Sequence, residues 1–508
     1  MPQLAEVERY QFGPLERRGV LLGLSAGQLA ALGGAGALAL LPLHVLPGPW
    51  AGVMSCAIAI TGGTVALMPV AGRPLEAWLP LVAGYSWRRL RGRHRFNSRA
   101  HLWGHLVRVR EDGAVLDVLP PEDRPRCLRD LSLLEVETGD RRHPVGVIGH
   151  ARLHTYVGIL RVGGGPFHLL DDSGQASAVR AWASILAGYA VESSLVSRLQ
   201  WIERTLPEDA HLLARHLAEH AATEAPPAAL RVCADAITEV RRSQVRHERL
   251  LALQVDARRA WRQIRQAGGG RIERGACALL VRELAQLGER LGTAGIAAEE
   301  ALGPRAIAEV IRSSYEPAAM PRLRVIHGDG SDAGPHPRNA WPQQTEEALS
   351  HLRIGPGSFH ATYHVREWPR IEVGPGFLAP LLGAACQRTV SMTLEPVAAA
   401  RATRELRQAL AGDASDDTLR QRAGWLPSFR RRREEENVLR AERELADGHA
   451  SFRFSAYVSV SAGNTNELEA ACAEVEQAAS LAHLELERLH AQQELVFTYT
   501  LPLCEGLA

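Results

Sequence analysis

His360 and His364 stand four residues apart, the spacing that places a metal-binding pair on one face of a helix. Their surroundings, Ser358–Trp368, alternate as a strand. There i and i+4 also share a face, so a polar or packed sheet face is the competing reading, and no third ligand accompanies the pair. Arg430–Arg433 followed by Glu434–Glu436 places opposite charges at i, i+4 along a helix, which fits a solvated, self-paired face or a docking surface. Glu367-Trp368-Pro369-Arg370 ends a strand with a large aromatic and a proline that stops the ladder. That tryptophan either packs in the core or offers an interface. Trp368, Pro369, Arg370, Arg430, Arg431, Arg432 and Arg433 are therefore the candidate partner-interface residues. The sequence has no Gly-x-Ser-x-Gly elbow, no His-Glu-x-x-His helix and no closely paired cysteines. Its seven cysteines are widely spaced, as expected for small buried hydrophobes in a reducing compartment rather than a disulfide framework or zinc site. No catalytic residue, cofactor or metal ligand is assigned, and the chain is expected not to be an enzyme.

Composition narrows the chemistry further. All 58 basic residues are arginine. A lysine-free chain has no standard P-loop, no kinase strand lysine and no Schiff-base amine. A genome biased toward arginine codons is the favoured cause and selection against lysine the other; the exclusions hold under either. The 508 residues carry a net charge of +1, with 46% hydrophobic and 23% charged residues, ordinary for a folded chain of about three units. Nothing in that balance points to nucleic acid, although contact is not excluded.

The elements that would position these residues begin with an apolar stretch. Gly19 to Gly72 contains no Asp, Glu or Arg, and Pro47-Gly48-Pro49 divides it. The two parts, about 20–46 and 50–70, are each long enough to span a bilayer core of about 30 Å. They predict a transmembrane hairpin. Arg9, Arg17 and Arg18 precede it, Arg73 and a run from Arg88 to Arg99 follow it, and the connection has none. By the positive-inside rule both termini are cytoplasmic, in a two-pass inner-membrane protein.

The expected architecture is α+β: residues 1–72 tail and hairpin, 73–205 a cytoplasmic α+β unit, 206–326 a helical region, 327–338 a linker, and 339–508 a second α+β domain. In the first unit, Val145–His150, His154–Val162 and Phe167–Leu170 read as strands, followed by a long helix over Gln175–Thr205. The helical region carries a basic helix over about Ala229–Gln266, with eight arginines between Arg241 and Arg265, and a seam of Leu280, Leu284, Leu287 and Leu291. That basic helix could meet phosphates, an acidic partner or solvent. The last domain reads as strand Ser358–Trp368, a helix near Phe377–Gln387, strand Arg388–Glu395, helices Ala398–Leu410 and about Pro427–Asp447, strand Ser451–Ser461, a helix ending near His490 and capped by Asn464 or Asn466, and a closing strand Glu494–Leu501. This β-α-β, insertion, β-α-β order predicts a split βαβ, ferredoxin-like domain with a helical insertion.

Several stretches together resemble type IV secretion and conjugative-transfer proteins. Tyr10-Gln11-Phe12-Gly13-Pro14, then Gly23–Leu29 and the hairpin, resemble the PrgI family of short inner-membrane subunits. Thr362–Arg370, Phe377-Leu378, Leu381-Leu382, Glu395-Pro396, Glu442–His449, Gln492-Gln493 and Leu501-Pro502-Leu503 resemble the N-terminal, non-motor half of conjugative-transfer ATPases. The layout is also similar to an actinobacterial membrane protein family associated with such ATPases. The resemblance implies a non-enzymatic subunit that anchors and docks a separate P-loop ATPase beside other inner-membrane secretion subunits, in a machine that moves DNA or protein. It allows a homo-oligomer. In those ATPases the motor follows the leucine-proline stretch, whereas here seven residues follow Leu501, so the motor is expected on another polypeptide. A ring subunit of another exporter, such as a type VII-like system, and a membrane-anchored enzyme with a histidine-based site are the rival expectations.

Overall fold

The computed structural model describes residues 10, 12, 26–45, 48–70, 73–98, 108–109, 115–116, 123–138, 144–165, 167–207, 226, 228–229, 231–233, 235, 245–320, 334–408 and 429–507. The apolar stretch forms two helices, α1 (Ala26–Val45) and α2 (Pro49–Leu67), each about 30 Å long and apolar enough to cross a membrane. Gly48 turns between them with φ 88°, a left-handed conformation glycine adopts without strain. The helices pack closely, because a Cβ on Gly62 would lie 2.1 Å from that of Ala35. Outward, Leu38, Leu40, Leu41, Val53 and Ile60 are exposed. A third helix, α3 (Leu75–Leu90), follows.

The rest is a mixed α+β body around one large antiparallel sheet, of 13 strands among the described residues. In chain order these are β1 (Arg95–Asn97), β2 (Leu131–Val136), β3 (Val145–His150), β4 (Thr155–Val162), β5 (Val196–Pro207), β6 (Val245–Asp256), β7 (Ala298–Ala301), β8 (Gln344–Glu347), β9 (Leu352–Ile354), β10 (Ser358–Glu367), β11 (Gln387–Val397), β12 (Ser451–Ala462) and β13 (Glu485–Arg488). The helices between them are α4 (Asp172–Ala187), α5 (Trp261–Ala267), α6 (Ile272–Thr293), α7 (Pro304–Tyr315), α8 (Ala379–Leu382), α9 (399–408), α10 (Phe429–Ala446), α11 (Thr465–Leu481) and α12 (Gln493–Phe497).

One strand order occurs twice. In the first half it is β7-β4-β6-β5, and in the second β13-β10-β12-β11. Each half is preceded by a hairpin, β2-β3 or β8-β9, that extends the sheet outward, and α7 and α12 occupy corresponding places after β7 and β13. The faces agree as well. Tyr156, Leu160 and Val162 of β4 pack into the core under α6, and Ala361, Tyr363 and Val365 of β10 pack into the core under α11. The halves join edge to edge through β5 and β11, with Ile202 opposite Ser391.

Several expectations need correction. Phe167–Leu169 is a 3-10 turn, not a strand. The helix expected over Gln175–Thr205 ends at Ala187, and Val196–Pro207 is strand β5. The region expected to be helical, 206–326, contains β6 within the supposed basic helix, so that reading fails; residues 208–225 and 236–244 lie outside the described residues. The helix after Phe377 is a single turn, α8. The helix from Asn464 stops at Leu481, and Glu485–Arg488 pairs with β10 as the strand expected at Glu494–Leu501, which is helical instead. The linker is described only from Gly334, where 337–340 form a 3-10 turn.

β5 and β6 escape a period-two reading because polar residues on both of their faces are buried, among them Gln200, Glu203, Arg204 and Glu248. Arg204 donates through Nε to Glu248 Oε2 (2.6 Å) and through Nη1 to the Val310 carbonyl and Ser313 Oγ (both 2.9 Å). Arg161 Nε donates to Glu248 Oε1 (2.8 Å). On the opposite face Glu203 meets His247 (2.5 Å), with the Arg388 guanidinium 3.7 Å away. Burial alone would raise the Glu248 pKa, but the two guanidiniums outweigh it and hold it at about 2. A carboxylate held low contributes stability above its ordinary value and loses it as pH falls from about 4.5 toward 2. Glu248→Gln should therefore cost about 3–5 kcal/mol at neutral pH by leaving buried guanidiniums unpaired. Thermal unfolding of the detergent-solubilised chain should show this loss, with a shallower acid dependence in the variant.

Candidate functional site, a clasp around the apolar hairpin

Both flanks of the hairpin are tied to the second half of the sheet. Ahead of α1, Tyr10 exchanges backbone hydrogen bonds with Val373 (both 2.9 Å). Phe12 then enters an aromatic cluster, its ring centroid 4.9 Å from Trp368, 5.3 Å from Phe377 and 6.3 Å from Phe454. Trp368 is only 6% exposed. Pro369 ends the β10 ladder and is itself buried, which fixes the tryptophan where the chain's own N-terminal segment covers it. Trp368 and Pro369 are thus internal, as in the core reading of this segment rather than the interface one. Arg370 is exposed and pairs with Glu367. Arg430–Arg433 lie on α10, and their side chains fall outside the described residues.

After α2, Arg73 pairs with Glu487 of β13. Trp78 of α3 packs on His490 with ring centroids 5.6 Å apart. Arg88 donates to Glu347 Oε2 through Nε and Nη2 (3.2 and 3.1 Å) and to the Ala491 carbonyl (2.5 Å). β1 then joins the sheet edge by pairing with β8, and Arg95 donates to Glu346 (2.9 and 2.6 Å). The helix therefore places Trp78, Tyr85 and Arg88 on its protein side, and the strand that follows locks its far end.

The floor of this clasp carries two carboxyls. Burial raises the Glu347 pKa despite Arg88. Glu494, whose Oε1 accepts from Thr345 Oγ1 (3.2 Å), is pushed up to about 7 by burial and by the nearby Glu347 charge. The sequence hid this group. The arginines after the hairpin carried a visible signal, but their carboxylate partners lie 251 to 414 residues away in the chain, with no local pattern to announce them.

His360 is buried, with Nδ1 2.8 Å from Ser461 Oγ and Nε2 2.8 Å from the Tyr315 carbonyl. Burial holds its pKa down to about 4, so the ring is neutral at pH 7 and both nitrogens are engaged. His364 lies 3.3 Å from Ser455 Oγ and packs on Tyr457. Among the described residues no group of three or more His, Cys, Asp or Glu could hold a metal ion.

No protein-family model and no curated protein matches the sequence.

Because Glu494 binds its proton more tightly in the folded chain, stability should fall as pH rises from about 4.5 to 7, an interval worth roughly 3 kcal/mol. Glu494→Gln should flatten that fall and raise the melting temperature at pH 8, with little change at pH 4. Phe12→Ala should cost roughly 2 kcal/mol. It should also speed proteolysis ahead of α1 without changing the far-ultraviolet circular dichroism.

Proposed function

We propose that this chain is a non-enzymatic inner-membrane subunit of a type IV secretion or conjugation-like machine, which anchors and docks a separate P-loop ATPase. The observation that carries this reading is the clasp: a two-helix membrane hairpin with both flanks fixed to a large cytoplasmic α+β body. Such a build transmits the position of the membrane to a docking platform. That both flanks meet the same body supports a topology with both ends of the hairpin on one side of the bilayer, and the arginine bias favours the cytoplasmic side.

The second half supports the resemblance to the non-motor half of conjugative ATPases. Its order, β13-β10-β12-β11 with α8 and α11 as crossovers and 398–450 inserted, is that of a split βαβ, ferredoxin-like domain. That order weighs against a ring subunit of a type VII-like exporter. His360, neutral with both nitrogens occupied, weighs against a histidine-based enzyme. These 508 residues carry no lysine, so none of them forms a standard Walker loop, which supports a separate motor.

The test is purification of the tagged chain from native-host membranes in mild detergent, with partners identified by mass spectrometry. A lysine-bearing Walker ATPase should copurify, and should leave the membrane fraction when this chain is deleted. An ATPase that neither copurifies nor loses membrane association would overturn the proposal.

A further inference from the structure

The helix after the hairpin has two faces, and only one is used within the chain. Ala77, Trp78, Leu81, Gly84, Tyr85 and Arg88 turn toward the body. The opposite stripe carries Leu79, Val82, Trp87 and Leu90, which are 62%, 43%, 55% and 83% exposed. Their spacing holds them within one side of a helix of 16 residues, about 24 Å long. An apolar stripe of this kind on a helix fixed by Arg88 and Trp78 needs an occupant.

Three observations identify it. First, α3 starts at the base of the hairpin. Gln28 near the start of α1 donates to the Ala66 carbonyl near the end of α2 (3.0 Å), and a Cβ on Gly27 would lie 3.0 Å from the Glu76 carboxylate in the first turn of α3. The helix therefore begins at the level where the spans leave the bilayer. Second, from Ala77 to Arg110 there is no Asp or Glu, and while Arg88 and Arg95 pair with Glu347 and Glu346 of the body, Arg89, Arg91 and Arg93 are exposed. Third, the Arg91 guanidinium sits 4.1 Å over the Trp87 ring, next to the apolar stripe, so an aromatic and a cation stand together as they do at headgroup level.

We infer that α3 is an interfacial helix, lying in the cytoplasmic leaflet with Leu79, Val82, Trp87 and Leu90 among the upper acyl chains and Arg89, Arg91 and Arg93 against anionic headgroups. The inference rests on the hairpin crossing the membrane. Its consequence is that the body is held at a fixed distance from the bilayer and fixed in tilt, since α3 is bonded to lipid on one side and to Glu347 on the other.

The full chain in nanodiscs of phosphatidylcholine and phosphatidylglycerol, with acyl chains brominated near the headgroup, provides the test. Trp87→Phe should remove a quenchable component of the tryptophan fluorescence, and so should Trp50→Phe, since Trp50 begins the second span. Loss with Trp50→Phe but not with Trp87→Phe would overturn the interfacial helix while leaving the hairpin in the membrane. No loss with either would overturn the hairpin reading itself. Trp87 should also be quenched more strongly in discs containing phosphatidylglycerol than in phosphatidylcholine alone. Equal quenching would remove the anionic headgroup from the proposal.

Discussion

The structure depends on the seam where β5 meets β11. This pairing alone joins the two similar halves into one continuous sheet, and it lies at the centre, covered on both faces. No water reaches its polar groups, so each needs a protein partner or carries a desolvation cost. Gln200 shows how this is met. Its amide nitrogen donates to Ser391 Oγ (2.8 Å) and to the Leu501 and Tyr499 carbonyls (2.9 and 3.1 Å), while its oxygen accepts from the Cys504 backbone (2.7 Å). Thr205 bridges to the backbone of Arg388 across the same seam, its Oγ1 accepting from the Arg388 N–H (2.8 Å). The charged cluster around Glu248 continues the same solution one strand further in.

That burial also decides what could be read from sequence. β10, β11 and β12 were legible because their apolar and polar residues alternate, and α11 because Asn464 caps it, accepting from Glu467 N (2.9 Å) ahead of an apolar stripe. β5 and β6 were not legible. Arg198, Gln200, Glu203 and Arg204 in one, and Arg246, His247, Glu248 and Arg249 in the other, look like a solvated helix face until their partners are known. The closing strand was misplaced because Glu494–Leu501 alternates convincingly, yet the edge of β10 is already taken by β13. The repeated strand order went unseen because the positions that correspond carry different residues: β4 has Val157 and Ile159 where the matching face of β10 has His360 and Thr362.

The clasp was half legible for a related reason. Arginines beside an apolar hairpin are a local pattern, and Trp368-Pro369 marks the end of a strand from its own residues. What holds the anchor comes from distant segments: Phe12 on Trp368, Arg73 on Glu487, Arg88 on Glu347. Such contacts are set by topology, and single-sequence patterns carry no information about them. The two flanks nevertheless reach the same half of the sheet, Phe12 on Trp368 and Arg88 on Glu347.

Gln200 also imposes an order of events. Its partners Tyr499, Leu501 and Cys504 lie about 300 residues further along the chain. At 5–20 residues per second, synthesis of that distance takes roughly 15–60 s. Until β11 is made, 191 residues separating Gln200 from its partner Ser391, the first half of the sheet presents β5 as an open edge with a polar residue at its centre. An open edge of this kind invites pairing with other chains. The seam therefore closes in two steps, first by pairing with β11 and then by Tyr499, Leu501 and Cys504 reaching Gln200.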